Sequence, residues 1–185
     1  MADSTSHYPT ELERAVPLPD GRELHLRPVR PDDASRLAEL YDRLSQHTAY
    51  QRFFTIMRRL PPNWARMLAR VDYQRRLALV VEHGPELVAM ARYEPTDEPD
   101  TVEVAFVVQD GYQGKGIGAI ILRALLDAAQ ARGIRRFRAY VLAENARMLE
   151  LLARFTHVRE RHFESGVVNI LFEPAPSPTS PARAS

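Results

Sequence analysis

The residues with the clearest chemical potential lie between Val104 and Ala119. There an apolar strand runs through Asp110-Gly111-Tyr112 into Gln113-Gly114-Lys115-Gly116-Ile117-Gly118-Ala119 and directly on into a helix. A helix start leaves backbone N–H groups unpaired and carries the positive end of the helix dipole. Alternating glycines let a ligand come close to that backbone, so the stretch suits a phosphate or pyrophosphate, and Lys115 adds a mobile positive charge. The competing reading is a tight turn that needs glycine dihedrals. Two familiar phosphate loops fail. A Walker A loop needs Ser or Thr after its Gly-Lys, whereas Gly116 follows Lys115 here. Gly114, Gly116 and Ala119 fit a G-x-G-x-x-A dinucleotide fingerprint, with Glu144 near the end of the next strand. That fold needs further β-α units after the motif, and only a short helix and a hairpin follow.

The flanking elements explain how such a loop would be held. Leu24 and Leu26 alternate within a first strand at 22–29, and Leu37, Leu40, Tyr41 and Leu44 mark a helical face after Pro31. Pro61 and Pro62 break 47–71 into two short helices. Strands are expected at 77–82 and 87–93, joined by His83-Gly84-Pro85, and at 102–108 with apolar groups on both faces. Ile117, Ile120, Ile121, Ala124, Leu125 and Ala128 then define the firmest helix, closed by Gly133. A strand at 137–142, a helix at 145–155 and a hairpin around Ser165-Gly166 complete an α/β (α+β) order, mostly antiparallel around one β-α-β crossover. The expected organisation is a flexible tail over 1–20, a single domain over 21–173 and a Pro/Ser-rich disordered tail over 174–185.

Composition narrows the chemistry. At 185 residues one core is the natural size, and 45% hydrophobic with 26% charged residues is ordinary globular usage. Lys and Arg number 25 against 24 Asp and Glu, so no global charge points to nucleic acid or anionic lipid. The absence of cysteine excludes disulfides, thiolate zinc sites and a cysteine nucleophile. The six histidines show no metal-ligand spacing. A polar N-terminus without an apolar h-region, and no run long enough to span a bilayer, make a cytoplasmic location the expectation.

Gln113, Gly116 and Gly118 match an R/Q-x-x-G-x-G/A motif, and with this element order the chain resembles the GNAT superfamily of acyl-CoA-dependent N-acyltransferases over about 22–172. Val29-Arg30-Pro31-Asp32-Asp33, Tyr50-Gln51-Arg52-Phe53-Phe54, Val102-Glu103-Val104-Ala105-Phe106 and the glycine loop make it most similar to the catalytic domain of bacterial protein lysine acetyltransferases. The resemblance implies the GNAT fold: a mixed, mostly antiparallel twisted sheet with helices on both faces and a central β-α-β crossover that binds acetyl-CoA. Relatives often carry a further sensing domain; a chain this short is not expected to contain one.

The resemblance also implies roles. Glu103 is the expected general base, acting directly or through a water. Backbone groups of Phe106, Val107 and Val108 would face the thioester and pantetheine. The amides of Gly114, Lys115, Gly116, Ile117, Gly118 and Ala119 would hold the pyrophosphate, with the Gln113 and Lys115 side chains at its edge. Asn145 falls where the family commonly faces the cofactor, and a helix N-cap role explains it equally well. Many GNAT enzymes place a tyrosine seven residues after this asparagine to protonate the thiolate; Leu152 stands there instead, so no general acid is assigned. A thiol pKa near about 8.5 lets CoA leave unaided. His157 and His162 are a polar strand face rather than substitutes, and no metal is expected.

Arg52 to Arg76 interleaves seven arginines with Tyr50, Phe53, Phe54, Trp64 and Tyr73 nearby. Arg52, Phe53 and Phe54 are the candidate acceptor-binding residues. The expected partners are acetyl-CoA and a protein with an acceptor lysine, for example an acyl-CoA synthetase by resemblance alone, rather than nucleic acid or membrane; oligomeric state is open. A small-amine acetyltransferase and a catalytically silent acyl-CoA-binding module are the alternatives.

Overall fold

Burial on both faces of the middle strands dictates a three-layer arrangement. The computed structural model describes residues 7–175. Strands β1 (Arg14–Pro17), β2 (Glu23–Pro28), β3 (Leu77–His83), β4 (Glu86–Pro95), β5 (Thr101–Val108), β6 (Arg136–Leu142), β7 (Thr156–Glu164) and β8 (Val167–Pro174) form one eight-stranded sheet ordered β1-β2-β3-β4-β5-β6-β8-β7. Every neighbouring pair is antiparallel except β5–β6. Leu87 to Tyr93 is buried without a break, because β4 is covered on both sides. On one side α4 (Ile117–Ala131) packs Ile121 and Leu125 into a core with Leu79, Ala91 and Val104. On the other, α1 (Ala34–Asp42), α2 (Gln46–Phe53) and α3 (Pro62–Ala69) cover the sheet, and Leu37, Leu40 and Leu68 meet Val80, Met90 and Val107.

Local chemistry ends the elements where expected. The Gly133 backbone, at φ 82°, turns the chain out of α4 while the Ile134 amide donates back to the Ala129 carbonyl at 3.0 Å, satisfying an orphan helix carbonyl. Ser165 and Gly166 both have positive φ, 49° and 81°, which matches the twist of the β7–β8 hairpin. Ser45 caps α2 by accepting from the Thr48 amide at 3.1 Å.

The N-terminal boundary differs from expectation. Residues 14–17 are not tail but the edge strand β1, with Val16 and, just beyond, Leu18 buried in the core. Its polar, proline-bearing composition hides it. Pro17 is tolerated because an edge strand need not use every N–H. The tail expectations for 1–6 and 176–185 lie outside the described residues.

The feature that shapes the site is where the sheet stops being continuous. β5 and β6 pair only through Thr101–Arg136, Val102–Phe137 and Glu103–Arg138. Past that rung β5 stays on β4 and β6 stays on β8, so the two parallel strands part and a notch opens at their carboxyl ends. β5 leads from the notch into α4, and β6 into α5 (Ala146–Phe155).

Candidate active site

The notch widens into a cleft of about 830 Å³, within the size range of small-molecule sites. Three elements build it. His47, Thr48, Gln51 and Arg52 of α2 form one wall. Arg147, Met148, Leu151, Arg154 and Phe155 of α5 form the other, and the stretch from Phe106 to Ala119 forms the floor and head. A narrower pocket of about 40 Å³ continues between Val104–Phe106 of β5 and Ala139–Val141 of β6.

The floor presents unpaired backbone. The Gln109 amide donates to the Val88 carbonyl at 2.9 Å, and antiparallel alternation then turns the odd-numbered residues of β5 toward β4. The main-chain N–H and C=O of Phe106 and Val108 therefore face the β6 side, beyond the last rung that β6 supplies. The Val108 carbonyl is met by the Gln113 side-chain amide at 2.9 Å. The open edge at Phe106 can accept an extended, amide-bearing ligand.

At the head, Gly114 and Gly116 adopt φ values of 72° and 84°, and a Cβ built on either meets nothing within 4 Å. The first amide to close a helical bond is that of Ile120, to the Gly116 carbonyl at 3.1 Å. The amides of Gly114, Lys115, Gly116, Ile117, Gly118 and Ala119 donate to no other group among the described residues. Backbone donors at a helix N-terminus with open space before them fit a diphosphate.

A polar network fixes this loop to α2. Asp110 accepts from the Ser45 amide at 3.0 Å and from the Ser45 and Thr48 hydroxyls at 2.7 Å each. Burial alone would raise the Asp110 pKa, but these hydrogen bonds outweigh it and hold the carboxyl below its ordinary value. Gln113 extends the network, donating to Thr48 at 3.3 Å and accepting from Arg147 at 3.2 Å, so its amide bridges both walls. Tyr112 lines the head while its hydroxyl meets His83 Nδ1 at 2.7 Å.

Most of the residues expected from sequence converge here. Phe106, Val107, Val108, Gln113, Gly114, Gly116, Gly118, Ala119 and Asn145 line the cleft, as does Arg52. Asn145 is the N-cap of α5, its Oδ1 accepting from the Met148 amide at 3.2 Å, and the residue also borders both pockets. Ile117 is buried beneath the loop, 1% exposed. The Lys115 side chain is not part of the cleft lining and lies within electrostatic reach of Asp20. Phe53 packs against Tyr41 and Trp64, with ring centroids 5.1 and 5.9 Å away, and Phe54 is an exposed left-handed C-cap; neither lines the cleft. Leu152 is fully buried, and the cleft-facing neighbour is Leu151.

Glu103 sits at the closed end of the notch, exposed, on the α2 face of the sheet. Glu94 stands directly opposite it on β4 and is paired with Arg92. Burial pulls the Arg92 pKa down to about 10, with Arg52 adding repulsion, so the guanidinium stays charged at neutral pH. Sequence reasoning missed Thr48, Asp110, Arg147 and Arg154. The two α5 arginines carry a legible signal, since they flank Leu151 at helical spacing; the Ser45–Thr48–Asp110 contact, 62 to 65 residues apart in sequence, carries none.

A sheet that parts between two parallel strands, with a glycine-led helix at the opening, is the architecture of the GNAT acetyltransferases. A family model described as the acetyltransferase (GNAT) family matches residues 38–156, and the chain belongs to that family. An acetyltransferase of Pseudomonas aeruginosa is 33% identical over 148 residues, covering 78% of this chain and 80% of its own. Acetyltransferase Pat of Mycolicibacterium smegmatis is 32% identical across 97% of this chain, which spans only 59% of that protein's length. The GNAT domain of Streptomyces lividans PAT superposes with a TM-score of 0.82 at 35% identity, covering 90% of this chain and 99% of that one. An acetyltransferase fold from Salmonella typhimurium, solved with acetyl-CoA as its cofactor, has a TM-score of 0.64 at 20% identity, covering 87% and 99%.

Proposed function

We propose that the protein transfers the acetyl group of acetyl-CoA directly to the side-chain amine of a lysine in another protein. Two likenesses support this acceptor: the sequence motifs shared with bacterial protein lysine acetyltransferases, and the similarity to the GNAT domain of Streptomyces lividans PAT. An acyl-CoA synthetase is the first protein to try as acceptor. The CoA diphosphate rests on the amides from Gly114 to Ala119, pantetheine runs along the open edge of β5, and Arg147 and Arg154 add positive charge along α5.

The chemistry needs a proton acceptor. At pH 7 only about four lysine amines in ten thousand are neutral. The observation that carries the reading is the place of Glu103 on the last β5–β6 rung, one residue before the stretch that borders the narrow pocket. As the amine nitrogen forms its bond to the thioester carbon and the C–S bond breaks, the amine proton passes to Glu103, directly or through a water, and sulfur leaves as thiolate. Main-chain N–H groups on the open edge stabilise the oxyanion. Leu152 offers no proton, and the mildly basic thiolate needs none.

The test is incubation of the pure protein with acetyl-CoA, a purified acyl-CoA synthetase and a panel of amines, followed by thiol release and mass mapping. Protein-dependent release with new acetyl-lysines is expected. Release with small amines alone overturns the protein acceptor, and binding without release overturns transfer.

A further inference from the structure

Residues 43–71 contain six arginines and no aspartate or glutamate, in a chain whose formal net charge is +1. Two of these arginines are used locally: Arg43 donates to the Leu87 carbonyl at 2.8 Å, and Arg52 stacks over the Phe53 ring at 4.8 Å while lining the cleft. Arg58, Arg59, Arg66 and Arg70 are exposed, and their side chains make no ion pair or hydrogen bond among the described residues. Several arginines elsewhere are engaged internally. Arg27, Arg36, Arg138 and Arg159 all pair with carboxylates. Exposed arginines without a side-chain partner also occur elsewhere, Arg75, Arg135 and Arg161 among them, but on α3 and the segment that joins it to α2 four of them fall in a stretch without a carboxylate.

Apolar side chains are exposed in the same place. Ile56 is 85% exposed, Met67 54% and Trp64 38%. Scattered singly they would need no explanation, but here they sit among the four free guanidinium groups. The Phe53–Trp64 contact at 5.9 Å joins the end of α2 to the start of α3, so this surface continues outward from the wall that carries Gln51 and Arg52 into the cleft.

We propose that the outer face of α3 and the 54–61 linker is the docking surface for the acceptor protein, and that the segment it takes is acidic, with an apolar anchor, around the lysine presented to the cleft. The inference rests on the protein-acceptor reading above. Guanidinium groups pair in forked geometry with carboxylates, and uncompensated charge of one sign steers a partner of the other. Ile56 and Met67 supply anchors that a protein surface can bury and a nucleic acid backbone cannot. The charge is concentrated on this face in a chain whose overall charge is nearly balanced, which suits local docking beside a reaction site.

The experiment compares two acceptor peptides of equal length, each with one lysine and one leucine, the lysine flanked by glutamates in one and by arginines in the other. At low salt kcat/KM is expected to favour the acidic peptide by about tenfold or more, with the gap collapsing at 0.5 M salt as screening shortens to about 4 Å. The double variant Arg59→Glu with Arg66→Glu, at exposed positions without partners, should lose or reverse the preference while acetyl-CoA affinity is unchanged. Acetylation indifferent to flanking charge, or a preference that survives the double variant, overturns the docking surface and leaves the protein-acceptor reading standing. Acetylation of small amines but of no peptide or protein overturns that reading as well. Displacement of the acidic peptide by a uridine oligonucleotide that binds more tightly at 0.15 M salt overturns the proposal in favour of a nucleic acid surface.

Discussion

Glu103 of β5 and Arg138 of β6 face each other across the last rung that joins the two strands, yet they make no ion pair. Arg138 is engaged by Glu98 at 2.6 Å and by Asn169 at 2.8 Å, which leaves the Glu103 carboxylate in no ion pair among the described residues, with Arg92 acting on it only at longer electrostatic range. The place where the sheet splits thus carries a free carboxylate, and the strand edge just beyond it carries free amides.

Replacing Glu103 with glutamine keeps the shape and removes the proposed proton acceptor. Turnover should fall by about 10²-fold or more. Acetyl-CoA affinity by calorimetry should stay within about twofold, because the proposed diphosphate contacts lie at the other end of the cleft. Wild-type turnover by the variant across the pH range would show that the base is elsewhere.

The two glycines of the head should separate backbone access from helix propensity. Gly116→Ala adds a Cβ at φ 84° into open cleft space, so it should cost about 1–2 kcal/mol of stability and weaken acetyl-CoA at least about tenfold. Gly118 is already helical, and its Cβ would meet Leu151 Cδ2 at 3.5 Å, an ordinary contact. Gly118→Ala should therefore bind normally and gain up to about 1 kcal/mol in denaturant unfolding. Equal effects from the two variants would argue against ligand contact at Gly116.

Asp110 is the tie between α2 and the loop. Asp110→Ala removes three accepted hydrogen bonds, one from an amide and two from hydroxyls, and frees Ser45 from the loop. A loss of about 1–3 kcal/mol and a raised KM for acetyl-CoA are expected. Unfolding midpoints and initial rates check both; a silent variant would mean that apolar packing and the Gln113–Thr48 contact hold the α2 wall without Asp110.

Acid stability should depend on the far end of the sheet. Arg27 is buried and donates to both Asp33 oxygens at 2.8 Å and to Glu82 at 3.0 and 3.1 Å. Burial would raise both carboxyl pKa values, but the Arg27 hydrogen bonds win, lowering Asp33 and bringing Glu82 down to about 2. Both values lie below those of the unfolded chain, near about 3.9 and 4.3, so this stability is complete above that range and is lost as pH falls toward 2. Urea midpoints should drop between pH 5 and pH 3, and Glu82→Gln should flatten the slope. An unchanged midpoint over that interval would contradict the assignment.

What could be read in advance follows from distance along the chain. The α4 stripe, the glycine loop and the Ser165-Gly166 turn are local patterns, and they are legible in the sequence. Lys115 was not, because whether a side chain turns into a cleft or toward Asp20 depends on packing around it. The notch depends on where β5 and β6 stop pairing, a non-local register that neither strand's alternation contains. Strand β1 is only four residues long and is held by Val16, too short a pattern to stand out from a polar terminus.

The central claim is that the free amides from Gly114 to Ala119 hold the diphosphate of CoA at the mouth of the parted strands. Calorimetric titration with acetyl-CoA, and in parallel with acetyl-pantetheine, which lacks the diphosphate, tests it directly. Saturable binding of acetyl-CoA with at least about a hundredfold loss for acetyl-pantetheine, some 2.7 kcal/mol, is the predicted result. Equal affinity for the two, or no saturable binding of acetyl-CoA by folded protein, would contradict it.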